Sequence, residues 1–106
     1  MSTEYLIEEV QRRRQAFKNL NKHLKNIQET VRNLDKNAEI YLFGSVAEKT
    51  HNFSSDIDVL VITHLEPAKV HLALWKEGIR EPFEIHVKPP EKLAYYKERA
   101  KLVPIN

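Results

Sequence analysis

Two aspartates, Asp56 and Asp58, head the apolar run Val59-Leu60-Val61-Ile62, with Ile57 between them. In an extended strand the side-chain period is two, so both carboxylates fall on one face with backbones roughly 6–7 Å apart. Two anions so placed at the mouth of a hydrophobic strand repel unless hydrogen bonds or a cation lie between them. Oxygen-only ligands suit magnesium or manganese, which keep several waters and take one or two carboxylates together with substrate phosphates. Gly44-Ser45 precedes Asp56 by ten intervening residues and stops an earlier apolar run, Ile40-Tyr41-Leu42-Phe43. A glycine after a strand lets backbone approach a ligand closely, and the small serine offers an N–H and a hydroxyl to phosphate. Together the two pieces describe a site for a metal-bound nucleoside triphosphate.

The surrounding chain supplies elements to hold these residues. Ser2 to Leu34 reads as helix, because Phe17, Leu20, Leu24, Ile27, Val31 and Leu34 recur at alternating spacings of three and four. Leu6 and Val10 extend this stripe backwards, with Arg13 or Arg14 where the next apolar residue would fall. Asn19 and Asn21 are poor helix-interior residues and mark a bend. Ser2 or Thr3 is the expected N-cap, with Glu4, Glu8 and Glu9 near the positive end of the macrodipole. After a stop at Asp35-Lys36-Asn37, Glu39 to Phe43 is a strand, Ser45 to Glu48 a helical turn and Thr50 to Ser55 a polar loop. Ile57 to Ile62 is a second strand, apolar on both faces beyond Asp58 and so central in its sheet.

Pro67 to Lys76 is a helix, with Pro67 in its first turn and Gly78 past its end; Trp75 is assigned to the core. Phe83 to Val87 is a third strand, with Phe83, Ile85 and Val87 on one face and Glu84 and His86 on the other, and Pro89-Pro90 breaks it. Glu91 to Ala100 is a last helix, and Leu102 to Ile105 an apolar tail tucked back on the body. The reading is one domain over residues 1–106, with an N-terminal helix over about 2–34 and a core over about 38–106. Its fold class is α/β, two layers, with a small mixed sheet and helices packed on one face.

Composition excludes several classes. The 106 residues suffice for one core burying about 65% of the unfolded surface. The absence of cysteine excludes disulfides and thiolate metal sites. The five histidines show no zinc spacing. Neither a leader nor a long apolar segment is evident, so the expected location is cytoplasmic, with no membrane contact. Net charge is +2, with eight basic against five acidic residues through Lys36 and nine against ten beyond it. That excess is too small to announce a nucleic-acid binder, and direct nucleic-acid binding is not expected. Arg12, Arg13, Arg14, Lys18, Lys22 and Lys25 accordingly read as a solvated flank of the first helix rather than an RNA surface.

Gly44-Ser45, ten residues, Asp56-Ile57-Asp58 and then Val59-Leu60-Val61 resemble the signature of the nucleotidyltransferase superfamily that includes DNA polymerase β. The short length is similar to that of its minimal members, the MNT proteins. The signature spans about a fifth of the chain, and the order of strands and helices extends the likeness over most of the rest. Val46, Glu48 and Lys49 stand where the family usually carries basic residues and a glycine.

The resemblance implies metal-dependent nucleotidyl transfer, with AMP passing from ATP to a hydroxyl acceptor. Asp56 and Asp58 would hold two Mg2+ ions, with Mn2+ as an alternative, and Gly44 and Ser45 the β and γ phosphates. Lys49 and Ser55 complete the expected nucleotide-binding set. Glu84 is the third acid by its position on the strand, a metal ligand and general base; otherwise it is a polar residue of an edge strand. His86 shares its face and is read as a bystander. Minimal members of the family are commonly encoded beside HEPN-domain proteins and act as antitoxins to them. The resemblance therefore implies an HEPN partner, either adenylylated on a tyrosine or neutralised by complex formation alone. The apolar stripe from Phe17 to Leu34 is the expected docking surface for that partner, or for a second copy of the chain.

Overall fold

The computed structural model describes residues 3–106, so Ser2, one of the two expected N-caps, lies outside the described residues. Helices α1 (Thr3–Lys18) and α2 (Leu20–Leu34) divide the predicted N-terminal helix at Asn19. The hydrogen-bond ladder still runs through this residue: its N–H donates to the Gln15 carbonyl at 3.0 Å, and its carbonyl accepts from His23 N–H at 3.1 Å. With φ −109° and ψ 31°, Asn19 is a bend rather than a loop, as its weak helix preference leads one to expect.

Past the bend the stripe turns inward. Leu24, Ile27 and Val31 are buried, Phe17 and Leu20 pack against the same core, and Leu34 alone opens toward solvent. The expectation of an exposed docking stripe from Phe17 to Leu34 is therefore corrected: the sheet and its neighbouring helices cover most of it. The exposed apolar residues of the N-terminal region are instead Tyr5, Leu6, Ile7 and Val10 of α1.

Strands β1 (Glu39–Phe43), β2 (Ile57–Ile62), β3 (Phe83–Lys88) and β4 (Val103–Pro104) form one mixed sheet in the order β3-β2-β1-β4. The central strand β2 lies parallel to β3 and antiparallel to β1. Its flanking position explains why Val59, Leu60 and Val61 are fully buried on both faces. Each such side chain is worth about 1.5–3 kcal/mol of burial. The tail adds β4 as the fourth strand, pairing Val103 with Leu42 and Pro104 with Tyr41. It is fixed further by Ile105 N–H donating to the Ile40 carbonyl and by the Gln28 amide donating to Ile105.

Helix α3 (Gly44–Glu48) follows β1 directly, and α4 (Pro67–Lys76) links β2 to β3. Pro67 opens α4, and its end is a Schellman motif, with Gly78 N–H donating to the Trp75 carbonyl and Ile79 N–H to Leu74. Gly78 supplies the required positive φ, 84°. Trp75 is not in the core as expected. It is 58% exposed, with the Arg80 guanidinium 3.2 Å over its ring, because Val70 and Leu74 already fill the inward face of α4.

The main core lies between the sheet and α2 and α4, with Ala16 and Phe17 of α1 at its margin. Helix α5 (Leu93–Arg99), preceded by a 3-10 turn at Pro90–Lys92, lies on the opposite face. Helices thus cover both faces of the sheet rather than the one expected, because Tyr41, Leu60 and Ile62 make that second face apolar too. There Leu93, Tyr96 and Leu102 pack on Tyr41, Leu60 and Ile62. Among the described residues no helix is long and apolar enough to cross a membrane.

Candidate functional site

Register alone brings the site together. The parallel β2–β3 pairing sets Asp58 beside Glu84, and the antiparallel β1–β2 pairing sets Phe43 opposite Asp58. Period-two alternation then puts Phe43, Asp58, Glu84 and His86 on the α5 face of the sheet, away from the main core. His86 lies two residues along β3 from Glu84 and leans diagonally toward Asp58. Its Nε2 lies 3.3 Å from Asp58 Oδ1 and 3.6 Å from Glu84 Oε1. One ligand atom from each of the three residues falls within 4.8 Å of the other two.

Aromatic rings frame this cluster. The Phe43 ring meets the His86 imidazole edge-on at 5.0 Å and Tyr96 edge-on at 5.9 Å. Such edge-to-face contacts fix ring orientation, so Nε2 of His86 is held toward the carboxylates. The Asp58 side chain is about a quarter exposed, whereas Glu84 is more than half exposed.

Gly44 closes the site on the β1 side. It starts α3 with φ 74°, and a Cβ built on it would overlap Asp58 Oδ2 and lie 3.2 Å from Asp58 Cγ. The glycine is therefore favoured both by its positive φ and by the close approach of the Asp58 carboxylate. Ser45 follows in the first turn of α3, half-buried, and its carbonyl accepts from Thr50 N–H at 2.9 Å. The first N–H groups of a helix have no partner within it, so this turn presents donors beside the carboxylates.

Asp56 has different company. Arg13 of α1 donates through Nη1 to the Ser55 carbonyl at 3.1 Å, and its Nη2 lies 3.8 Å from Asp56 Oδ1. The same guanidinium lies 3.8 Å from Glu9 through Nε. A second tie joins α1 to this loop, the parallel stack of Phe17 on His51 at 5.3 Å. Ser55 uses its hydroxyl to accept Asn52 N–H at 3.0 Å, so it shapes the loop. Lys49 is exposed and ends α3 with φ 60° and ψ 31°, a left-handed conformation that glycine adopts freely.

The structure thus gathers Asp58, Glu84 and Gly44, with Ser45 adjoining; it sets Asp56 against Arg13, and leaves Lys49 and Ser55 on the loop side. Sequence reasoning undervalued His86, although its signal was present in the shared face with Glu84. It also gave no role to Arg13, which it marked only as a break in the apolar stripe and part of a solvated flank, and which joins the loop from 42 positions away.

The donor set fits a divalent cation. Two carboxylates and an imidazole converge, with His86 Nε2 in a long hydrogen bond to Asp58 Oδ1 at 3.3 Å and 3.6 Å from Glu84 Oε1.

Comparison with known proteins follows the same direction. A family model described as a nucleotidyltransferase domain matches residues 24–105. A crystal structure of a candidate nucleotidyltransferase is 30% identical, with 79% of this chain and 98% of that one covered and a TM-score of 0.61. A candidate nucleotidyltransferase from Sulfolobus solfataricus, at 23% identity, covers 85% of this chain and 84% of its own, with a TM-score of 0.60, and is alike in fold. No curated protein matches the chain.

Proposed function

The chain belongs to the nucleotidyltransferase domain family, and on that premise we propose that it transfers AMP from ATP to a tyrosine hydroxyl of an HEPN-type partner protein. The observation that carries the transfer reading is the seating of Gly44 on the Asp58 carboxylate, with Glu84 brought beside it by the β2–β3 register. The choice of ATP and of the partner rests on the resemblance of the Gly44-Ser45 to Asp58 signature to the minimal members of the family.

In this reading Asp56, Asp58 and Glu84 would hold Mg2+, which when bound would neutralise phosphate charge and the carboxylates' mutual repulsion. Gly44 and Ser45 present backbone N–H groups and a hydroxyl to the β and γ phosphates. Glu84, the more exposed acid, takes the proton of the acceptor hydroxyl. The acceptor oxygen bonds to the α-phosphorus, the bond to the β-phosphate oxygen breaks, and pyrophosphate leaves. The protein forms no covalent bond to substrate, so its work is positioning and electrostatics.

The test is to incubate the chain and an HEPN partner with ATP and Mg2+ and to weigh the partner by mass spectrometry. An AMP-sized gain on a tyrosine is expected, lost with Asp58→Asn. Glu84→Gln should slow transfer far more than it weakens ATP binding, since its work is on the acceptor. No gain in mass, with ATP binding equal in wild type and Asp58→Asn, would overturn the reading.

One observation favours a second reading, binding without turnover. Tyr5, Leu6, Ile7 and Val10 of α1 are exposed, in a segment that lies outside the family match at residues 24–105. Neutralisation of the partner that survives Asp56→Asn/Asp58→Asn would support it.

A further inference from the structure

We infer that His86 is a metal ligand, completing with Asp58 and Glu84 a mixed nitrogen–oxygen site whose preference shifts from Mg2+ toward Mn2+. The inference rests on the transfer reading above and specifies the ion of the same site.

Spacing is the first argument. An octahedral divalent ion with bonds of about 2.1 Å needs adjacent ligand atoms roughly 3.0 Å apart and opposite ones about 4.2 Å apart. Nε2 lies 3.3 Å from Asp58 Oδ1 and 3.6 Å from Glu84 Oε1, and all three ligand atoms fall within 4.8 Å. A charge-assisted hydrogen bond from a histidine to one carboxylate closes to about 2.7–2.9 Å. The His86–Asp58 hydrogen bond is longer, at 3.3 Å, and leaves Nε2 between the two carboxylates at ligand spacing.

Preorganisation is the second. His86 is only 29% exposed, and Phe43 holds its ring edge-on at 5.0 Å, with Tyr96 behind Phe43. A ligand whose orientation is fixed by packing loses little freedom when it coordinates. The backbone adds to this, since β3 is bonded along its length to the central strand.

Donor chemistry separates the two ions. Carboxylate and water suit Mg2+ and Mn2+ alike, whereas imidazole is a ligand of the first-row transition series, to which Mn2+ belongs as its weakest-binding member and Mg2+ does not. Replacing one oxygen of an all-carboxylate set by Nε2 therefore weakens the claim of Mg2+ and strengthens that of Mn2+. Sequence reasoning from Asp56 and Asp58 gives an oxygen-only site, which suits Mg2+ and Mn2+ alike.

The experiment uses the full chain and the metal alone. Mn2+ is titrated by the loss of its free EPR signal, with Mg2+ as competitor, for wild type, His86→Gln, His86→Leu and Asp58→Asn, each checked for native circular dichroism. Pulsed EPR of the Mn2+-loaded wild type reads a coordinated imidazole nitrogen directly. Expected are a histidine-nitrogen modulation in wild type that is lost in both His86 variants, and a Mn2+ affinity about tenfold or more weaker in them. Mg2+ affinity should change far less. Mn2+ binding that is lost in Asp58→Asn but equal in wild type and both His86 variants, with no nitrogen modulation, overturns this inference and leaves the transfer site standing. Mn2+ and Mg2+ binding indifferent to Asp58 as well as His86 overturns both.

Discussion

Gly44→Ala is the most informative single substitution, because the fold contains its own control. Gly44 and Gly78 both have positive φ, 74° and 84°, but a Cβ at Gly44 would run into the Asp58 carboxylate, whereas at Gly78 nothing lies within 4 Å. A positive φ costs an L-residue about 1–2 kcal/mol, and this applies to both positions. The entropy that alanine removes from the unfolded chain is also common to both and cancels in the comparison. Gly44→Ala must in addition push Asp58 off its rotamer, about 0.5–1.5 kcal/mol more, for a total of about 1.5–3.5 kcal/mol. Urea denaturation of the two variants side by side reads the excess. Divalent-metal affinity should fall in Gly44→Ala and hold in Gly78→Ala, because only the former displaces a ligand. In an Asp58→Ala background the excess at Gly44 should vanish. Equal costs at the two glycines, with metal binding intact in Gly44→Ala, would refute the argument that the glycine is dictated by the aspartate.

Ile27→Ala removes a fully buried side chain from the α2 stripe and should cost about 2–5 kcal/mol, read by chemical denaturation. A loss below 1 kcal/mol would mean that α2 is not seated on the sheet as described. The Asp35 carboxyl is held below its ordinary value of 3.8 by the Thr63 hydroxyl, which donates at 2.6 Å, then by Asn37 N–H. A lowered folded pKa stabilises above the unfolded value and is lost as pH falls through the folded one. Asp35→Asn should therefore be less stable than wild type at neutral pH, with the gap closing below pH 3.8. A gap in thermal midpoint that does not change with pH would remove the carboxylate from the account.

Local signals were read well because local physics produces them. The Gly44 turn, the aspartate-headed strand and the Pro67 to Gly78 helix all depend on neighbours within a few residues. The bend at Asn19 was legible for the same reason. What escaped was decided by packing between distant segments. Whether Trp75 or Leu74 faces inward depends on how α4 rotates on the sheet, and both fit an apolar stripe. The burial of the Phe17 to Leu34 stripe depends on α4, and on a tail that joins the sheet 63 positions along the chain, at Tyr41↔Pro104. Within the site, the shared face of Glu84 and His86 was visible, but the tilt that aims Nε2 at Asp58 comes from Phe43 across two strand pairings.

The tie between Arg13 and the loop has a consequence for how helix α1 and the loop communicate. One guanidinium supplies the counter-charge of Asp56 and clasps the Ser55 carbonyl, while its helix carries the exposed Tyr5, Leu6, Ile7 and Val10. Anything that grips that helix and shifts it by an ångström or two alters the electrostatic potential at Asp56. Linkage is reciprocal, so to the extent that a cation at Asp56 displaces the guanidinium, loosening the clasp returns the same free energy to the cation. Helix α1 is in this sense a gauge of the charge state of the loop, and its exposed Leu6 and Val10 border that loop at Phe53 and Ser54.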